Sequence, residues 1–401
     1  MYNVILVNIA ELYLKGKNRP IYLNVLRKQL NKVIKIYHQG EVSFFKDFQR
    51  LIFTSGIPFG EDTITAVRKI PGIHSIMLAK EGPKDLDKIL PILLEEIAQY
   101  GLEEFSFKIA ATRSDKSFPI TTPEINKLLG HEVLLKFPKA RVDLKKPQIT
   151  PEILVLSKSI FISAKRLSGI GGLPVGMSGH LITLLSGGID SPVASFMMSK
   201  RGCAQTFVFF HSYPFVGEEV LDKIFKLSKI IGQYQLGCRL YIIPFGEIQN
   251  LISKKCLEEY RTVFFRKFMI EAANILADQI KGEALLTGDS ISQVSSQTIG
   301  NLAILDKCST RPIFRPLIGL NKNEIVEKAE QIGTFETSII PYDDACSLFA
   351  PLRPVIHPSL KYWEKFSEEF KITDDLLNCV KNAKVYEISP KGDITLLEDK
   401  I

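Results

Sequence analysis

The run LLSGGIDSPVA at residues 184–194 limits what this chain can fold into more than any other stretch. A short apolar strand pattern, LITLL (181–185), meets two glycines and passes directly into a helical pattern, SPVASFMMSKRG. That order predicts a strand–loop–helix unit. Glycine carries no Cβ, so the amides of Gly187, Gly188 and Ile189 can close on a phosphate, with the positive end of the helix behind them. Ser186 and Ser191 are hydroxyl donors at the ends of the loop. Asp190 cannot usefully face a bare phosphate and suits a magnesium ion carried by one. Pro192 has no N–H and fits the first helical turn. At average residue usage, SGGxDS would arise by chance in only about one in two thousand chains of this length. No GxxxxGK[ST] loop occurs anywhere.

Beyond the loop, the strand patterns QTFVFF (205–210), RLYIIP (239–244) and EALLTG (283–288) alternate with helical patterns over 218–234 and 258–280. Short apolar strands separated by longer amphipathic helices predict an α/β class with a doubly wound parallel sheet over residues 181–401. In such sheets phosphates bind at the carboxyl ends of the strands. From PSLKYWEKFSEEF onward the chain reads as a helical tail. The front half is less regular and predicts two small α+β units, 1–60 and 61–167. Residues 168–180, SGIGGLPVGMSGH, hold five glycines and one proline in thirteen positions and read as a linker.

Charge separates the same two parts. Residues 1–180 carry 26 Lys and Arg against 17 Asp and Glu, and residues 181–401 carry 25 against 27. The basic excess points to a polyanion-binding front end. Hydrophobic residues make up 45% and charged residues 24%, which excludes a disordered or fibrous chain. No apolar run is long enough to span a bilayer, and MYNVILVNIA lacks the basic start of a signal peptide. The six cysteines form no CxxC pair, which argues against a zinc ribbon, cluster ligation or a disulfide scaffold, and for a cytoplasmic protein without a resident metal centre.

Four further stretches bear on chemistry. TGDSISQVSSQTIGNL (287–302) follows a strand and is rich in small polar donors, Thr287, Ser290, Ser295, Ser296 and Gln297 among them. Lys322, in RPLIGLNKNEI, stands at the head of a helix, where it opposes the dipole unless an anion neutralises it. Arg266 and Lys267 lie on the long helix. Cys346 sits in IIPYDDACSLFAPLRP (339–354), a loop dense in proline and acid, whereas the other five cysteines lie in or beside regular elements. Asp343 and Asp344 would raise a thiol pKa there, and a more acidic persulfide would suffer less.

Taken with ELYLKGKNR (11–19), RSDKSFP (113–119), GGLPVGMSGH (171–180) and FHSYPF (210–215), these stretches resemble, in order, the tRNA 4-thiouridine synthetase (ThiI) family, whose glycine loop is the PP-loop of ATP pyrophosphatases. The resemblance implies a ferredoxin-like domain and a THUMP domain gripping tRNA ahead of the PP-loop domain. It implies ATP and Mg²⁺ as cofactors, with Leu184, Leu185, Phe209 and Phe210 lining the adenine pocket through their backbones. The SGGIDS loop would hold the phosphates, and Arg266, Gly288 and Gln297 would complete the nucleotide site. Asp190 and Lys322 match polar positions expected to serve adenylation, and Cys346 matches the sulfur-handling cysteine. The implied reaction converts a uridine at the acceptor/D-stem junction to 4-thiouridine. A cysteine desulfurase would donate the persulfide, a sulfur-carrier protein for thiazole synthesis is a second acceptor, and a homodimer is implied.

Some relatives add a rhodanese domain, for which the residues after Cys346 leave no room, and some have paired cysteines where this chain has Ala345 beside Cys346. A resolving cysteine is unassigned, with Cys308 and Cys203 remaining by elimination. For RNA, Lys15, Lys17 and Arg19 form a compact basic loop, and Arg113, Lys116, Lys136, Lys139, Arg141, Lys145 and Lys146 form a second basic set. The competing readings are a tRNA-binding or chaperone protein with a vestigial loop, against which the intact SGGIDS speaks, and a small-molecule PP-loop synthetase, which would not need the front half.

Overall fold

The structure, a computed structural model, describes residues 2–9, 11–47, 50–341, 349 and 351–398. The chain forms two compact units, 1–172 and 173–401.

In the first unit the elements are β1 (Val4–Ile9), α1 (Arg19–Tyr37), β2 (Val42–Asp47), β3 (Arg50–Ser55), α2 (Glu61–Arg68), β4 (Ile73–Gly82), α3 (Leu86–Ala98), β5 (Phe105–Phe107), β6 (Ala110–Arg113), α4 (Thr122–Lys136), β7 (Ala140–Val142), β8 (Glu152–Val155) and β9 (Ile160–Gly171). Seven strands make one sheet in the order β2-β3-β1-β4-β9-β8-β6, and β5 pairs with β7. The sheet runs across position 60, because β1 lies between β3 and β4 and is antiparallel to both. Val4 and Leu6 pack with Ile52, Met77, Leu154 and Phe161. Ile5 and Val7, pointing to the other face, are also fully buried. A second core joins α3 and α4 to the strands through Leu93, Phe107, Leu129, Val133 and Ile162. The stretch read as a linker is partly strand. Residues 168–171 extend β9, whose glycines allow close approach: a Cβ on Gly169 would lie 2.4 Å from the Ile73 carbonyl oxygen.

In the second unit the elements are β10 (His180–Leu184), α5 (Asp190–Lys200), β11 (Ala204–His211), α6 (Glu219–Gly232), β12 (Cys238–Pro244), α7 (Gly246–Lys255), α8 (Arg261–Ile280), β13 (Ala284–Leu286), α9 (Ile299–Asp306), β14 (Ile313–Phe314), α10 (Lys322–Ile332), α11 (Phe335–Ser338), α12 (Leu360–Glu369), α13 (Thr373–Lys381), β15 (Lys384–Ile388) and β16 (Ile394–Leu397). The strand order is β14-β13-β10-β11-β12-β15-β16. The five strands from β14 to β12 are parallel. From β10 the chain builds outward to β11 and β12, then returns to build β13 and β14 on the other side. The switch point therefore falls between β10 and β13.

The end of the chain corrects the expectation of a helical tail. α12 and α13 are followed by an antiparallel hairpin, β15–β16, with β15 on the edge of β12. Its turn is closed by Ser389 and Asp393, with Gly392 at φ 89°. α5 sits close on the sheet because its inner face is small and polar. Thr183 and Ser195 both donate to Gln205 Oε1 (2.7 and 2.8 Å), and Gln205 Nε2 returns bonds to the Ser195 carbonyl and to Ser199.

On the opposite face, α8 is the core helix. Phe264 is fully buried, lies parallel to Trp363 at 4.8 Å between centroids and meets Phe366 at 4.3 Å. Phe264→Ala should destabilise this unit by ~3–5 kcal/mol, read as a lower urea midpoint.

Candidate functional site

The phosphate loop leaves β10 and enters α5 as the sequence pattern predicts. Its two serines bond to each other. Ser191 is buried, and its Oγ accepts from the Ser186 amide (2.8 Å) and lies 3.0 Å from Ser186 Oγ. The two hydroxyls brace the loop across its mouth, and the Gly188 amide donates a long bond (3.4 Å) to Ser186 Oγ.

The loop after β13 lies directly behind. A Cβ on Gly288 would stand 2.7 Å from the Ser191 amide nitrogen, so this position needs glycine for space. Asp289, which sequence reasoning did not single out, follows it and is 4% exposed. Its carboxylate receives Arg266 (Nη2, 2.6 Å), Arg315 (Nε, 3.2 Å), Thr287 (Oγ1, 2.8 Å) and Gln297 (Nε2, 3.3 Å). Burial works to raise its pKa, but Arg266, the Thr287 hydroxyl and Arg315 outweigh it and hold the group below the usual carboxylate range. The other amide atom of Gln297, Oε1, is buried without a partner among the described residues. A buried acceptor left open beside a nucleotide loop is suited to a donor on a base. The available signal for Asp289 was its position, an acid one residue past a strand-end glycine.

Asp190 and Lys322 are brought together by the fold. Lys322 Nζ is 2.7 Å from Asp190 Oδ1, and Gln293 Nε2 is 2.8 Å from Oδ2. Lys322 opens α10, which is capped independently by Asn321 and Glu324 in a reciprocal box. The anion that makes a lysine tolerable at that helix start is thus Asp190, 132 residues away in sequence. Ser290 Oγ donates to the Leu320 carbonyl and the Ile291 amide to the Ile318 carbonyl, tying the two loops together.

Leu184, Leu185, Phe209 and Phe210 lie at the carboxyl ends of β10 and β11. Their side chains belong to the core on opposite sheet faces, Leu185 and Phe209 on one and Leu184 and Phe210 on the other. Leu185, Phe209 and Phe210 are buried and Leu184 is half-buried, so these side chains are largely committed to the core.

Cys346 lies outside the described residues. Burial disfavours the thiolate form of all five other cysteines. Burial pushes Cys256 and Cys379 to about 11 and Cys308 to about 12, and it raises Cys203 and Cys238. That weighs against Cys308 and Cys203 as resolving thiols.

The basic residues of the first unit divide. Gly16 (φ 50°) kinks the turn Glu11–Asn18, leaving Lys17 exposed, Lys15 over the Tyr22 ring and Arg19 half-buried at the start of α1. Lys116, Lys136 and Arg141 are exposed, as are Lys145 and Lys146, whose amides bond Asp143. Lys139 pairs with Glu103 at 3.2 Å. Arg113 points inward and donates to the carbonyls of Phe118 (2.7 Å) and Ile120 (3.0 Å), so it shapes the 113–120 loop.

Among the described residues no cluster of three or more His, Cys, Asp or Glu side chains could hold a metal alone, and no helix is long and apolar enough to cross a membrane.

Comparison with known proteins agrees with this architecture. Residues 4–77 match the ThiI ferredoxin-like domain, 83–165 the THUMP domain, and 176–372 the family described as thiamine biosynthesis protein (ThiI). A "Probable tRNA sulfurtransferase" of Brevibacillus brevis is 35% identical over 97% of both chains. One of Lachnoclostridium phytofermentans is 37% identical over 96% of this chain and 97% of its own. A crystal structure of a 4-thiouridine synthetase–RNA complex with bound ATP superposes with a TM-score of 0.87 at 31% identity, covering 96% of this chain and all of that one.

Two variants probe the site. Gly288→Ala should drive a methyl group into the phosphate loop and weaken ATP binding at least about tenfold by calorimetry. Asp289→Asn should cost ~3–5 kcal/mol at neutral pH, because the mostly buried Arg266 loses its charge partner and Arg315 keeps only Asp306. Since the native carboxylate titrates below its unfolded value, its contribution is complete above about pH 4 and is lost as pH falls through the native value. The gap between variant and wild type in thermal unfolding should therefore narrow on acidification.

Proposed function

The chain belongs to the ThiI family of tRNA sulfurtransferases, and we propose that it converts a uridine of tRNA to 4-thiouridine at the expense of ATP. The observation that carries this reading is the switch-point site itself: a braced phosphate loop with a carboxylate–lysine pair at its rim. The C4 oxygen of uracil is a poor leaving group. Its attack on the α-phosphorus of ATP releases pyrophosphate and turns that oxygen into part of AMP, which leaves readily. The terminal sulfur of a persulfide on Cys346 then displaces AMP at C4. Breaking the remaining S–S bond consumes a second thiol.

In this reading the amides of Gly187, Gly188 and Ile189 bind the phosphates, and the half-exposed Lys322 stabilises charge developing at phosphorus. Arg266, Gly288 and Gln297 form the far wall of the nucleotide site. The donor set fits a magnesium ion that arrives with the nucleotide: Asp190 offers a carboxylate at the loop, and the phosphates supply most of the remaining oxygens. Such an ion supplies charge neutralisation at the transferred phosphorus.

The exposed lysines of the first unit, together with Arg141, are the tRNA phosphate contacts in this reading, and Arg113 acts by holding its loop. A cysteine desulfurase supplies the persulfide. A sulfur-carrier protein is a second acceptor, and the working form is a cytoplasmic homodimer.

Unmodified tRNA, Mg·ATP, cysteine and a desulfurase should give pyrophosphate and thiouridine together. Cys346→Ser should keep the pyrophosphate and ATP and tRNA binding but lose the thiouridine absorbance; full thiolation by that variant would remove Cys346 from the mechanism. tRNA affinity should fall steeply with salt, and Lys17→Ala should lower the slope of log K against log salt by about one.

A further inference from the structure

The Asp190 carboxylate has two partners from two different elements. Lys322 comes from the start of α10 and meets Oδ1 at 2.7 Å, and Gln293 comes from the loop after β13 and meets Oδ2 at 2.8 Å. An ionised carboxylate only accepts hydrogen bonds, so the NH₂ end of Gln293 must face it. The torsion that turns an aspartate carboxyl is soft and nearly two-fold. The lysine stem is long and its side chain is 44% exposed, so Lys322 alone would leave that torsion loosely held. A second donor on the other oxygen fixes it.

The loop carrying Gln293 is built to deliver that donor. Ser292, a residue with a side chain, stands at φ 60°, in the left-handed region that favours glycine. The turn is held by the Ser292 amide donating to the Gln297 carbonyl (3.0 Å). Ile291 and Ser290 anchor it to the segment leading to Lys322. Strain that is held in place by such bonds is characteristic of functional loops. The far end of the same loop, Gln297, reaches Asp289. One short segment therefore touches both carboxylates of the site.

We infer that Gln293 is a positioning residue for the adenylation step, holding the Asp190 carboxylate so that its other oxygen meets Lys322. The inference rests on the role given above to Asp190 and deepens it.

The test measures pyrophosphate release from Mg·ATP with unmodified tRNA in the full-length protein, for Gln293→Leu, Gln293→Glu and Asp190→Asn. Gln293→Leu keeps the size and removes the donor. It should lower kcat about tenfold with KM for ATP, ATP affinity by calorimetry and the thermal midpoint close to wild type. Gln293→Glu keeps the shape but sets a second carboxylate against Asp190, so it should be slower than Gln293→Leu. A side chain kept only for its shape and its contact with water would give the reverse order, and that order would overturn the inference. Wild-type kcat in Gln293→Leu while Asp190→Asn is inactive would overturn it too, leaving the role of Asp190 intact. Wild-type release by Asp190→Asn would remove the role of Asp190 and the inference with it.

Discussion

Asp289 is the group on which the rest of the site depends. A carboxylate this deeply buried survives only if it is fully paired, and here two guanidinium groups and a hydroxyl surround it. Those partners come from α8, from the end of β13 and from the segment after β14. Their shared charge locks the loop after β13 against the sheet edge. Gly288, one residue earlier, can then back onto the start of α5 without a side chain between them. The phosphate loop is thus held from behind by backbone contact and across its mouth by Ser186 and Ser191.

The front of the site obeys a second electrostatic constraint. A lysine at a helix start and an aspartate at the rim of an anion-binding loop are each unfavourable alone. The lysine opposes a dipole, and the aspartate repels phosphate. Placed 2.7 Å apart, they offset each other's cost and leave a polar pair at the rim of the loop. The pairing also explains why the two elements need to be tied by Ser290 and Ile291 before any ligand arrives.

Reading the chain without its fold recovered the strand–loop–helix unit and the parallel sheet, because each shows in local periodicity and loop composition. It missed the C-terminal hairpin. KVYEI and ITLL are short, and the helices before them set a misleading rhythm; their register comes from pairing with β12. It read residues 168–171 as linker because glycines usually end a strand, whereas here they permit close packing on Ile73. It counted Arg113 as a surface cation, and two carbonyls a few residues on turn it inward.

Chemical identity and local geometry were written in the order of residues: the loop that can bind phosphate, the strands that surround it and the basic character of the front half. Partnership was not. Asp190 meets Lys322 and Gln293, and Asp289 meets Arg266 and Arg315, across separations of 132, 103, 23 and 26 residues. No periodicity encodes such distances. They arise because a doubly wound sheet reverses its order at β10, bringing the carboxyl ends of two strands distant in sequence to one crevice.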